Sequence, residues 1–183
     1  MADQKGLLVV FHSRSGGTER LVEAAVEGAR LALDITAGAN PADPDGATGA
    51  GLGANASYQG ATGCTLEVRH AFEATADDVL GAGAILIATP ANFGYMSGAV
   101  KDFFERVYHP CLGKTVRMPY AMLVKGDTDV EGAAASVRKI ATGMQWREVL
   151  PALLVVGSVE PSHIDEAHEL GATLAAGMEA GIY

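Results

Sequence analysis

Short apolar runs alternate with amphipathic stretches along most of this chain, and that alternation limits its folds more than any other feature. Residues 6–11 (GLLVVF) are apolar throughout, as a strand buried on both faces requires. Residues 18–33 follow with Leu21, Val22, Ala25, Ala29 and Leu33 at helical spacing. The same reading predicts strands over 64–70, 84–88, 120–124 and 152–156, and helices over 76–80, 97–108, 132–144 and 162–177. In the helix over 97–108, Val100, Phe103, Phe104 and Val107 form a core stripe and Lys101 and Glu105 an i,i+4 pair. Lys101 and Arg106 are expected on its solvated face. The last helix is expected to start from Ser162 as N-cap, with Glu166 in its first turns. Five strands each followed by a helix predict an α/β fold, a doubly wound five-stranded parallel sheet of order 2-1-3-4-5 with helices on both faces.

One segment breaks the rhythm. Residues 38–63 hold seven glycines, seven alanines, Pro41 and Pro44. They carry too little apolar surface to offset the entropy of ordering, so a flexible Gly/Ala-rich insertion is expected inside a single domain spanning 1–183. The chain has two cysteines, too few for a disulfide scaffold or a four-cysteine zinc or iron–sulfur site. Its net charge of −9 disfavours nucleic acid and anionic membrane surfaces as partners. No apolar run reaches the roughly 18 residues of a membrane helix, and the first residues lack a signal-peptide pattern. Membrane insertion is not expected, and a cytoplasmic location is.

The chemistry concentrates at strand ends. Directly after the first strand comes His12-Ser13-Arg14-Ser15-Gly16-Gly17-Thr18, which opens the first helix. A phosphate needs several donors converging without steric hindrance. Gly16 and Gly17 let backbone N–H groups approach, while Ser13, Ser15 and Thr18 add hydroxyls. The helix N-terminus adds partial positive charge. An ordinary capped strand-to-helix turn would share this composition. Arg14 either pairs with the bound phosphate, reaches a second substrate's phosphate, or is a solvated surface charge. His12 reads as structural.

Ser13-x-Ser15-Gly16-x-Thr18 resembles the [ST]-x-[ST]-G-x-T phosphate loop of flavodoxin-like FMN proteins. Residues 88–98 (ATPANFGYMSG) and Lys101-Asp102-Phe103-Phe104-Glu105-Arg106 resemble the third-strand loop and helix of the NADPH-dependent FMN reductase and WrbA-like quinone reductase branch. A weaker match follows the fourth strand at 125–132 (KGDTDVEG). The resemblance implies FMN as cofactor, with Ser13, Arg14, Ser15, Gly16, Gly17 and Thr18 at its phosphate. Pro90, Ala91, Asn92, Phe93, Gly94, Tyr95 and Met96, with Gly126, Asp127 and Thr128, would surround its ring. Phe93 and Tyr95 are ring contacts on this reading; core packing or a subunit contact is the other use for them. The implied activity is NAD(P)H-dependent reduction of quinones or of flavin, with a small-molecule electron acceptor and a homodimer or homotetramer. No protein side chain is assigned as a catalytic acid. A flavodoxin-type single-electron carrier is the first alternative, and the acidic charge suits it; Arg14 and Lys125 suit the reductase. A flavin-free binding module is the second.

Other patterns fail on context. Gly113-Lys114-Thr115 lacks the first glycine of a nucleotide-binding P-loop, and Gly49-x-Gly51-x-x-Ala54 has no strand before it. Cys111 and Arg117 have phosphatase-loop spacing, but with helix and strand in reversed order. The Asn55 sequon has no use in a cytoplasmic chain, and the histidines show no metal-binding spacing.

Overall fold

The computed structural model describes residues 6–35, 55–60 and 63–183. From β1 (Gly6–Phe11) the chain runs through α1 (Gly17–Ala32), β2 (Asn55–Gln59), β3 (Thr65–His70) and α2 (Ala76–Gly81). It continues through β4 (Ala84–Asn92), β5 (Tyr95–Met96), α3 (Gly98–Cys111), β6 (Pro119–Gly126) and α4 (Val130–Gly143). The described chain closes with β7 (Arg147–Glu148), β8 (Leu153–Val156) and α5 (Pro161–Glu179).

β1 is buried at all six positions, and pairs in parallel with β3 on one side and β4 on the other. β4 pairs with β6, and β6 with β8. The parallel strands β3-β1-β4-β6-β8 therefore follow the expected order 2-1-3-4-5, and the fold is a flavodoxin-like α/β sheet. The strand period of two sorts the core into two layers. Leu7, Val9 and Phe11 join Leu21 and Val22 of α1 and Leu174 of α5. Leu8 and Val10 join Val79 of α2, Phe103 and Phe104 of α3, and Val137 of α4. Phe103 and Phe104 are thus core residues, as their helical spacing predicts.

α1 and α5 pack backbone to backbone. A Cβ at Gly28 would lie 2.0 Å from the His168 carbonyl oxygen, and one at Gly171 would lie 1.9 Å from that of Ala25. Only glycine fits either position.

Several expectations need correction. Within the segment expected as a flexible loop, Asn55–Gln59 forms β2, an antiparallel edge strand on β3. Its Ala56 is buried, the Arg30 guanidinium lies 5.0 Å from the Tyr58 ring centroid, and Ser57 donates to Glu67. The rest of that expectation, residues 38–54 and 61–62, lies outside the described residues. β4 runs four residues past its expected end and turns back into β5. The outer strand position is shared: β7 pairs with Pro119 and Tyr120, and β8 with the far end of β6. Pro151, between β7 and β8, cannot donate to a continuous ladder. Glu160, not Ser162, caps α5, because Pro161 takes the first helical position and His163 completes the capping box. α4 starts at Val130, two residues early, since the Asp129 carboxylate accepts from the Gly132 N–H.

Candidate functional site

The loops after β1, β4, β6 and β8 open at the carboxyl edge of the sheet, where the strand order reverses. The first is the loop 12–18. Ser13 Oγ accepts from the N–H of Gly16 at 3.2 Å and of Glu19 at 3.3 Å, which draws the loop onto the start of α1. Gly16 is the N-cap, with φ 82°, and no side chain caps the helix at that position. Among the described residues no protein group accepts from the backbone N–H of Arg14, Ser15, Gly17 or Thr18. Arg14 and Ser15 are exposed, whereas Thr18 is buried. Ser13 already accepts two hydrogen bonds, so its own hydroxyl proton is left to donate.

Lys125, which closes on this loop from β6, is absent from the expected phosphate set. Its methylenes lie against Gly17: a Cβ there would sit 3.3 Å from Lys125 Cε. Its ammonium bonds Asp127 Oδ1 at 2.9 Å, and only 16% of the side chain is exposed. Ser15, Gly16, Gly17, Lys125, Asp127 and Gly157 line a cleft of about 660 Å³. Gly157 and Ser158 belong to the β8–α5 loop, which sequence reasoning passed over. The available signal was positional, since the loop after the fifth strand must reach the same edge as its neighbours.

The second loop is a hairpin. Ala91 pairs with Met96 and Asn92 with Tyr95, leaving Phe93 and Gly94 as the turn. Their φ values of 54° and 71° are both positive, as a two-residue turn of the primed type demands. For phenylalanine this conformation costs about 1–2 kcal/mol. The Phe93 side chain is fully exposed and Tyr95 is 45% exposed, so neither serves the core. The base of the hairpin is held from below. Thr89 Oγ1 donates to the Pro90 carbonyl and accepts from Ser97 N–H at 2.9 Å; Met96 N–H donates to Ser136 Oγ at 3.1 Å. Thr89, Ser97 and Ser136 are all buried, and none was among the expected site residues. Pro90 and Met96 are likewise buried.

The third loop holds the other two together. A Cβ at Gly126 would meet Ala91 Cβ at 2.7 Å, so Gly126 lets β4 and β6 end side by side. A Cβ at Gly94 would meet Asp129 Oδ2 at 2.5 Å, which seats the hairpin tip on the N-cap of α4. Asp127 and Thr128 are exposed between these contacts. Of the expected site residues, the fold thus brings the 13–18, 90–96 and 126–128 groups to one sheet edge.

Two helix charges expected to be alike differ. Lys101 pairs with Glu105 on the surface. Arg106 is not simply solvated: it donates to the carbonyls of Ala74 and Ala71, at 2.6 Å each, and pairs with Asp102 at 2.7 Å. It therefore secures the β3–α2 loop. Among the described residues no cluster of side chains suited to a metal ion occurs, and no helix is long and apolar enough to cross a membrane.

No protein-family model matches the chain. A flavodoxin from Aquifex aeolicus (strain VF5) is 28% identical over 101 residues, which make up 55% of this chain and 39% of that protein. The match therefore spans well under half of the relative's length. Among solved structures, a flavodoxin from the domain Archaea superposes with a TM-score of 0.71 at 15% identity, covering 95% of this chain and 99% of that one. A WrbA-like flavodoxin from Agrobacterium tumefaciens superposes with a TM-score of 0.66 at 18% identity, covering 96% and 98%.

Proposed function

We propose that this chain binds FMN at the carboxyl edge and passes electrons from NAD(P)H to a quinone or to free flavin. One observation carries the reading: the 12–18 loop leaves four backbone N–H groups without a protein acceptor, at the N-terminus of α1. A phosphate monoester supplies the missing acceptors and is favoured by the helix dipole. Ser13, Ser15 and Thr18 would add hydroxyl donors, with Arg14 and Lys125 the nearby cations. When bound, the flavin supplies the redox chemistry, taking up a hydride and releasing electrons to an acceptor. The chain binds, orients and shields. Phe93 and Tyr95 offer exposed aromatic surface to a flat ring, while Gly94 and Gly126 bring the two ring loops together. Asp127 and Thr128 lie exposed beside them.

A second reading, a single-electron carrier, is supported by the flavodoxin likenesses and by the net charge of −9. Both readings need the flavin, so the first measurement is the absorption spectrum of the purified protein and its uptake of added FMN. The second is oxidation of NADH or NADPH with a quinone or excess FMN as acceptor. Turnover supports the reductase. A yellow protein that oxidises neither nucleotide, but accepts electrons from an added flavodoxin reductase, is a carrier. A colourless protein that binds no FMN overturns both. A homodimer or homotetramer belongs to the proposal, since fully exposed Phe93 gives a second copy an apolar contact; sedimentation velocity checks it.

A further inference from the structure

On the side of β1 away from the ring loops, two imidazoles and a phenyl ring meet beside the phosphate loop. His12 and His70 have ring centroids 5.4 Å apart, and Phe72 lies 6.3 Å from the first and 5.6 Å from the second. His12 is held in place by its backbone, which donates to Ala88 O at 3.1 Å, and it directly precedes Ser13. Its Nδ1 is buried without a hydrogen-bond partner. His70 Nδ1 accepts from Phe72 N–H at 3.4 Å. The charged or titratable groups acting on His12 are His70, from β3, and Arg14, from the loop. Burial, then His70, then Arg14, push the His12 imidazole below its ordinary value. Among the described residues no carboxylate forms an ion pair with His12, His70 or Arg14. In a chain of net charge −9, three cationic or protonatable groups thus stand together without a counter-charge, at the edge of an anion cradle.

We propose that His12, packed against His70, is a specificity-determining residue of the cradle: its imidazole takes up one proton from solvent when a phosphate monoester docks on loop 13–18. It thereby favours phosphorylated flavin over its dephosphorylated form. This rests on the phosphate-loop reading above and adds proton coupling to it. The physical reason is the sign of the neighbours. Without ligand, protonation of His12 adds a positive charge near the Arg14 guanidinium in a partly desolvated place. A dianion docked on the adjoining loop reverses that balance, and the protonated imidazole carries an N–H on both ring nitrogens.

The test begins without flavin. Imidazole C–H resonances of the full chain are titrated against pH in chloride and in sulfate, an anion whose charge does not change in this range. His12→Gln and His70→Gln assign the signals. The His12 midpoint is expected to rise in sulfate, and an unmoved midpoint overturns the proposal. Calorimetry then compares FMN with riboflavin from about pH 8.5 to about pH 7, above the phosphate's own pKa of about 6. FMN affinity should rise on acidification, by at most about tenfold per pH unit, while riboflavin affinity stays flat. In His12→Gln the FMN slope should flatten to that of riboflavin; a slope retained in that variant overturns the proposal. If neither flavin binds, the proposed function fails, and the sulfate titration of the wild-type chain still decides this inference.

Discussion

The two ends of α1 use glycine for opposite reasons. At Gly28 there is no room: a Cβ would sit 2.0 Å from a backbone oxygen of α5. At Gly16 there is ample room, with nothing within 4 Å of an added Cβ, but the backbone needs φ 82°. The first glycine serves packing of two helices, the second the backbone geometry of the 12–18 loop. The packed end should therefore fail by steric conflict and the loop end by torsional strain, so the same substitution reads differently at each.

Gly28→Ala tests the packed end and should have the largest effect. The methyl must push α5 away from α1, a loss of about 3 kcal/mol or more, at the upper end of overpacking costs. The urea midpoint measures it; a shift under about 1 kcal/mol would mean the helices separate easily. Gly16→Ala should cost about 1–2 kcal/mol from the left-handed conformation alone, with the sheet and helices intact by circular dichroism. Its FMN affinity should fall along with stability, whereas Gly28→Ala should leave the affinity of the remaining folded protein near normal. Equal effects of the two on flavin affinity would erase the distinction.

Thr18→Ala should weaken FMN binding by about 1 kcal/mol, the net worth of one hydrogen bond, in a fluorescence titration. Because Thr18 is 2% exposed, part of any stability change will reflect lost packing, so riboflavin is the control. The smallest effect concerns Phe93, whose φ of 54° suits asparagine better. Phe93→Asn should stabilise the fold by up to about 1 kcal/mol while reducing flavin retention. A variant that is more stable and keeps its flavin would remove Phe93 from the ring site.

These glycines also mark where sequence reading stopped. Gly16 was legible, because its neighbours Ser13, Ser15 and Thr18 sit within one turn of chain and state their chemistry locally. Gly28 and Gly171 looked like ordinary small residues in amphipathic helices. Their reason lies across a contact between segments roughly 140 residues apart, which no local pattern records. Arg106 divides in the same way. Its pair with Asp102 follows from i,i+4 spacing, but its bonds to Ala71 and Ala74 reach across 35 and 32 positions. β2 stayed hidden because NASYQ has one buried apolar residue, and its partners, the β3 backbone with Glu67 and Arg69, lie on the neighbouring strand.

The sequence by itself determined the layered α/β fold and the place of the glycine- and hydroxyl-rich loop 12–18 at the end of the first strand. Strands buried on both faces must be continuously apolar, helices on a sheet must be amphipathic, and an anion loop needs its glycines and hydroxyls adjacent. Tertiary structure decided the rest: the strained hairpin that presents Phe93, the seat of that hairpin on Asp129, Lys125 lying over Gly17, and the imidazole pair beside the loop. Each of these depends on which strand ends lie next to one another, and that is set by pairing between distant segments rather than by any residue's immediate neighbours.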